Sequence, residues 1–202
     1  MDLKKSILAK LLEQGIRILL IKECKKIGHL KINIIATSIQ IIKGEIRKIN
    51  IIAKDINYKY LLFDEVELEA SQIKVNFNLT NKELKFRNNP IINFKISFSE
   101  SSLKEILLSN NWNGIKNLIS NLLPKNERLK DLKIRNDQLF LKAFDSDILE
   151  NINIKIENGK VYLFNKNYNK IIQIPLEDKV YINHIKIENN LVNVFANSSI
   201  SF

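Results

Sequence analysis

The stretch Ile92-Asn-Phe-Lys-Ile-Ser-Phe98 decides the fold class. Ile92, Phe94, Ile96 and Phe98 alternate with Asn93, Lys95 and Ser97. A period of two sends apolar side chains to one face of a strand and polar ones to the other. The same period runs through Ile73, Val75, Phe77 and Leu79 against Gln72, Lys74, Asn76 and Asn78, and through Leu30, Ile32 and Ile34 against Lys31 and Asn33. One dry and one wet face is the pattern of antiparallel strands. Lys43-Gly44 and Asn81-Lys82 are turn candidates between such runs, and Pro90 opens the last strand where a missing N–H donor is tolerated. Residues 29–98 therefore read as a first β meander.

Working outward, the period changes to that of a helix on both sides. Residues 1–27 hold an N-terminal helix, its pattern running from Leu3 to Lys26. Ser6, Lys10, Glu13 and Arg17 form a narrow polar stripe, and Leu3, Ile7, Leu8, Leu11, Leu12, Ile16 and Leu19 form a broad apolar arc. The arc is expected to pack on a sheet or to meet lipid, with Gly28 as the helix stop. Residues 100–123 read as a helix pair. Ser99 and Ser101 can cap it, Leu103, Ile106 and Leu107 carry its first turns, and Asn110-Asn111 and Asn113-Gly114 around Trp112 break or kink it. Trp112, Ile115, Leu118, Ile119, Leu122 and Leu123 share the second apolar face, and Pro124 ends it. Residues 130–202 read as a second β meander containing a repeat: Ile154-Lys-Ile-Glu-Asn158 returns as Ile185-Lys-Ile-Glu-Asn189. Hairpin tips are expected at Asn136-Asp137, Asn158-Gly159 and Asn189-Asn190. No linker divides the chain. The expectation for residues 1–202 is one elongated α+β domain, a curled antiparallel sheet wrapped around helices.

Composition limits the function. With 202 residues, 45% hydrophobic and 27% charged, the chain has globular composition rather than that of a disordered tail. One cysteine, Cys24, excludes a disulfide framework. No run approaches the roughly 18 apolar residues of a membrane span. Lys4 and Lys5 are followed by Lys10, Glu13 and Gln14, so no secretory apolar region is expected and the protein reads as cytoplasmic. The net charge of +10 is unevenly spread. Residues 1–54 hold twelve Lys and Arg against four acids, a net of +8. Only five of the thirty-two basic residues are arginine, the residue that reads bases bidentately, so nucleic acid is not the expected partner. A basic end on a balanced protein suits an anionic membrane surface. Lys10, Arg17, Lys22, Lys25 and Lys26 are the expected docking residues.

Catalytic signatures are lacking. His29 and His184 have no carboxylate partner at ligand spacing, and no phosphate loop, GxSxG or HExxH occurs. Asp145-Ser-Asp147 reads as a solvated turn, and Glu65, Glu67 and Glu69 as the wet face of a strand. No metal, no cofactor and no enzymatic activity are expected.

The segments Leu30-Lys-Ile-Asn-Ile34, Ile41-Ile-Lys-Gly44, Ile49-Asn-Ile-Ile-Ala53 and Asn57-Tyr-Lys-Tyr-Leu61 follow one another in that order. Glu67-Leu-Glu-Ala-Ser71, Ile73-Lys-Val-Asn-Phe77 and Ile96-Ser-Phe-Ser99 leading into Ser102-Leu103 come next. Over roughly residues 10–125 this order resembles the LmeA-like phospholipid-binding family, particularly its cyanobacterial members. The resemblance implies a tubular lipid-binding fold, in which a curled sheet wraps a helix around an apolar tunnel, and non-enzymatic binding of phospholipid. Its tunnel would be lined by Ile73, Val75, Phe77, Ile92, Phe94, Ile96, Leu103, Ile106 and Leu107, the faces that converge if the sheet curls. A basic nucleic-acid-binding module, or a purely structural or interaction protein, is the alternative.

Overall fold

A computed structural model describes residues 6–78, 83–124 and 127–199. The order along the chain is α1 (Ile7–Glu23), β1 (Lys26–Ile35), α2 (Ser38–Ile42), β2 (Glu45–Tyr58), β3 (Leu61–Asn78), β4 (Glu83–Phe86), β5 (Ile91–Ser99), α3 (Glu100–Leu108), α4 (Asn113–Ser120), β6 (Leu129–Arg135), β7 (Gln138–Ala143), β8 (Leu149–Glu157), β9 (Lys160–Asn165), β10 (Lys170–Ile174), β11 (Val180–Glu188) and β12 (Leu191–Ser199). The fold is α+β with every strand pair antiparallel, as the alternation predicts. The strands form two open sheets rather than a closed barrel. One runs β1-β2-β3-β5-β12-β11, with β4 paired to β3, and the other runs β10-β9-β8-β7-β6.

That order corrects the expected second meander. Only β6 to β10 form a sheet of their own; the last hairpin, β11–β12, leaves it and completes the first sheet through β5. The two copies of the repeat thus lie in different sheets, the hairpins β8–β9 and β11–β12, and their Ile154, Ile156, Ile185 and Ile187 meet in one core. The three hairpin tips are where the sequence places them. Asn136-Asp137, Asn158-Gly159 and Asn189-Asn190 all have positive φ, as a tight two-residue turn requires. The Asn81-Lys82 turn lies outside the described residues. α2, held by a capping box between Thr37 and Gln40, interrupts the first meander.

Register sorts the side chains of the larger sheet. The row Leu30–Ala53–Val66–Ile96–Val194–Ile185 crosses all six strands and is apolar throughout, as is Ile32–Ile51–Leu68–Phe94–Ala196–Ile182. The rows between them, Lys31–Ile52–Glu67–Lys95–Phe195–His184 and Asn33–Asn50–Glu69–Asn93–Asn197–Tyr181, face the other way. Two cores cover the apolar face at opposite ends. α1 packs over β1 and β2, with Ala9, Leu30, Ile32, Ile34, Ala53 and Ile56 buried. At the other end α3, α4 and the smaller sheet close over β5, β12 and β11, around Leu122, Leu123 and Leu129, which are fully buried. Leu68, Ile92 and Ile96 are half-buried, belong to neither core, and form a saddle between them.

Candidate functional site

α1 sets the surface of interest. Its N-cap is Ser6, whose hydroxyl accepts the Ala9 N–H at 3.1 Å. The helix runs antiparallel to the edge strand β1. Glu13 Oε1 accepts the Ile34 N–H at 2.8 Å, and Arg17 Nη2 donates to the Leu30 carbonyl at 2.8 Å. An edge strand presents a row of backbone groups without strand partners, so a helix bearing a carboxylate and a guanidinium four residues apart closes part of it.

This arrangement splits the expected polar stripe and the expected apolar arc. Glu13 and Arg17 face the protein, because the β1 edge requires them, while Lys10 stays exposed. Leu12 and Ile16 of the arc pack on the first core, and its Ile7, Leu11 and Leu19 turn outward with Ile18 and Ile21. Ile7 is 77% exposed, Leu11 62%, Ile18 66%, Leu19 63% and Ile21 56%; in α2, Ile39 is 66% and Ile42 76% exposed. Positions 7, 11 and 18 share one helical stripe. Because Glu13 meets Ile34 and Arg17 meets Leu30, the Ile7 end of α1 lies beside the chain that leads from β1 into α2. The helix is also shorter than expected. Cys24 is its C-cap, Lys26 opens β1, and Gly28 is a strand residue rather than the stop.

Lys10, Lys22, Lys25 and Lys26 are exposed around these apolar side chains. Arg17 is not with them. Its guanidinium is committed to Leu30 and half-buried, which removes it from the expected docking set. The Cys24 thiol is pushed above its ordinary pKa, by burial and then by the nearby Glu23 carboxylate, so it is not a poised nucleophile.

The residues expected to line a tunnel do not come together around one cavity. Phe94, Leu103 and Leu107 pack into the core that faces the smaller sheet. Ile73 and Ile106 are buried, Val75 is half-buried, and Ile92 and Ile96 belong to the saddle. The side chain of Phe77 lies outside the described ones. An open trough of about 510 Å³ lies instead on the polar face of the six-stranded sheet, and of the nine residues only Phe94 touches it. Its floor carries Asn50, Glu67, Glu69, Asn93 and Lys95, and the stacked rings of His184 and Phe195, 4.1 Å apart, stand at one side. Three lysines on this face are paired: Lys48 with Glu69 at 2.6 Å, Lys95 with Glu67 at 3.0 Å and Lys54 with Glu65 at 3.5 Å. The sequence reading of these glutamates as a wet strand face holds, and the register adds their partners. Asp145 ends the turn after β7 and Ser146 and Asp147 follow in the irregular connection to β8, with Asp147 paired to Lys142 at 2.7 Å.

Among the described residues no group of His, Cys, Asp and Glu could hold a metal ion, and no helix is long and apolar enough to cross a membrane. His29 stands in β1 and His184 in β11, at opposite edges of the sheet, so they form no common site. Comparison with protein-family models, with curated proteins and with solved structures finds no match to this chain.

Proposed function

We propose that this is a non-enzymatic lipid-binding protein that docks peripherally on anionic bilayers through the outward faces of α1 and α2. One observation carries the reading: seven Ile and Leu side chains on two neighbouring helices are more than half exposed, with four exposed lysines around them. Scattered exposed hydrophobes are ordinary, but a set this dense on adjoining elements marks an interaction surface. Burying each such side chain in the acyl boundary contributes about 1.5–3 kcal/mol if complete, and each lysine near an anionic leaflet about 1 kcal/mol. Together these suffice for reversible attachment. The paired lysines of the sheet's polar face weigh against a phosphate-backbone ligand, since their charge is already answered by glutamates.

An acyl chain has a place to lie in the same reading. The saddle of Leu68, Ile92 and Ile96 is apolar and half-open, and would take a lipid tail in place of a closed tunnel. The resemblance to LmeA-like phospholipid-binding proteins supports the same ligand class.

Liposome flotation tests the docking. Binding should rise with the anionic lipid fraction, weaken with salt and fall sharply in Ile7→Ser/Ile18→Ser and in Lys22→Gln/Lys25→Gln/Lys26→Gln. Because Ile7 and Ile18 are exposed, the unfolding free energy from urea titration should stay within about 0.5 kcal/mol of wild type. Equal binding to neutral and anionic vesicles, or none to either, would sink the proposal. Native mass spectrometry of protein purified from cells reads the cargo directly, as a bound mass released by organic extraction.

A further inference from the structure

Beyond α1, the tip of the β2–β3 hairpin concentrates features that no turn requires. Lys59 and Tyr60 form it, with φ of 48° and 67°. Neither residue favours the left-handed region, where Asn and Gly are the usual occupants of such a tip. The conformation is held from outside the hairpin. Trp112, in the 3-10 turn Asn110–Trp112 that joins α3 to α4, donates its Nε1–H to the Tyr60 carbonyl at 3.3 Å. Lys25 Nζ stands 3.5 Å from the centroid of the Tyr60 ring, and the Lys25 N–H donates to the Asn57 carbonyl at 2.8 Å. That bond ties the exit of α1, one turn past the exposed Ile21, to the foot of the hairpin. Tyr60 is nevertheless 46% exposed and Trp112 only half-buried.

We infer that the Lys59–Tyr60 tip and Trp112 form an interfacial anchor, which inserts at the headgroup level of an anionic bilayer and fixes the orientation of the docked protein. The inference rests on the docking reading above and adds to it the residues that set depth and tilt. Tyrosine and tryptophan prefer the membrane–water interface because an apolar ring carries a polar tip. Here the indole N–H already has its acceptor, so the ring enters without an unsatisfied donor. Lysines supply the attraction to the leaflet: Lys22, Lys25, Lys26 and Lys59 gather at this end, and Glu23 and Glu177 are the carboxylates that act on Lys59. A strained, non-glycine tip kept exposed by three outside contacts fits a surface built for a partner rather than for the fold.

Trp112 is the only tryptophan in the chain, so its fluorescence reports this site alone. On vesicles of phosphatidylcholine with phosphatidylglycerol, its emission should shift to the blue and be quenched by lipid brominated near the headgroup. Flotation of the same samples shows whether the protein is bound. The variant Lys59→Asn/Tyr60→Gly relieves the backbone strain while removing both anchoring side chains. It should melt no lower than wild type, yet bind these vesicles about tenfold more weakly. Bound protein whose Trp112 emission is unmoved, or a variant that binds as wild type does, would overturn the anchor and leave docking through α1 intact. Absence of vesicle binding in the flotation itself would remove the docking reading and this inference with it.

Discussion

Gly159 closes the Asn158-Gly159 tip with φ +75°, and a Cβ built there would lie 2.3 Å from the Tyr181 ring of the neighbouring hairpin. Two penalties, left-handed backbone and a ring that must move, fall on one atom. Gly159→Ala should therefore lower stability by about 1–3 kcal/mol, read as a drop in the urea midpoint with an unchanged slope. This position was legible from the sequence, because Asn-Gly between two alternating runs has one common structural meaning. Lys59-Tyr60 was not, since nothing in those side chains asks for positive φ; the contacts that hold them come from Lys25 and Trp112, distant in the chain. Glu13 and Arg17 misled for a related reason. Helical periodicity groups polar residues and assigns them to water, but it cannot see that a strand edge waits on that side.

At the scale of elements, the helices guard the sheet edges in the same way twice. α3 begins at Ser99, whose N–H meets Asp64 and whose hydroxyl accepts the Ser102 N–H at 3.2 Å. Glu100 then reaches the edge strand β6, accepting the Ile134 N–H at 2.7 Å, as Glu13 does at β1. Lys104 lies between Glu100 at 2.8 Å and Asp131 at 3.0 Å, with Lys133 at 3.5 Å from both carboxylates. Burial alone would raise the two acids, but Lys104, the backbone N–H donors and Lys133 outweigh it and hold both below their ordinary values. A carboxylate depressed in the folded state contributes stability above its unfolded pKa, about 4, and that stability disappears as pH falls through the lower folded value. Lys104 is shifted upward by the same partners, so its share persists to alkaline pH. Denaturation at pH 7 should find Glu100→Gln/Asp131→Asn less stable than wild type, and the gap should close as pH drops below about 4. A gap that stays constant would show that the two carboxylate charges are not what the cluster contributes to stability.

The strands carry another element-scale feature. Asp55 has φ 53° in the middle of β2, opposite Gly28, where a Cβ would come 2.8 Å from the Asp55 carboxylate. Across this point the pairs Ile27 and Leu30, Ala53 and Ile56, and Phe63 and Val66 all stay in the first core although the members of each pair are three positions apart. The pleat skips a beat in three adjacent strands at once. Strict alternation would have sent half of these side chains to water, so the sequence pattern predicted the strands but not the coherence of their faces.

For the whole molecule, the alternating runs, the three Asn-headed hairpin tips and the helix pair were readable, because each depends on residues near one another. Strand order was not. That β12 lies between β5 and β11 depends on which apolar face closes over which, and two near-identical Ile-Lys-Ile-Glu hairpins give no hint that they belong to different sheets. The proposed docking surface is half-legible: the lysines at one end are plain, but the periodicity of the apolar arc beside them leaves sheet packing and lipid contact both open.

The position of β12 also dictates an order of events in time. Ser97 Oγ donates to Asn193 Oδ1 at 2.7 Å in a buried bond spanning 96 residues, and all of the smaller sheet lies within that span. Closing so long a loop in an unstructured chain is entropically unfavourable and rewarded late. Once β6 to β10 have zipped through their short turns, the span is already compact and β12 has a surface to land on. Refolding should therefore proceed from the inside of the loop outward. In pulsed hydrogen exchange during refolding, amides of β7, β8 and β9 should be protected before those that join β5 to β12. Simultaneous protection would mean that both sheets condense in one step.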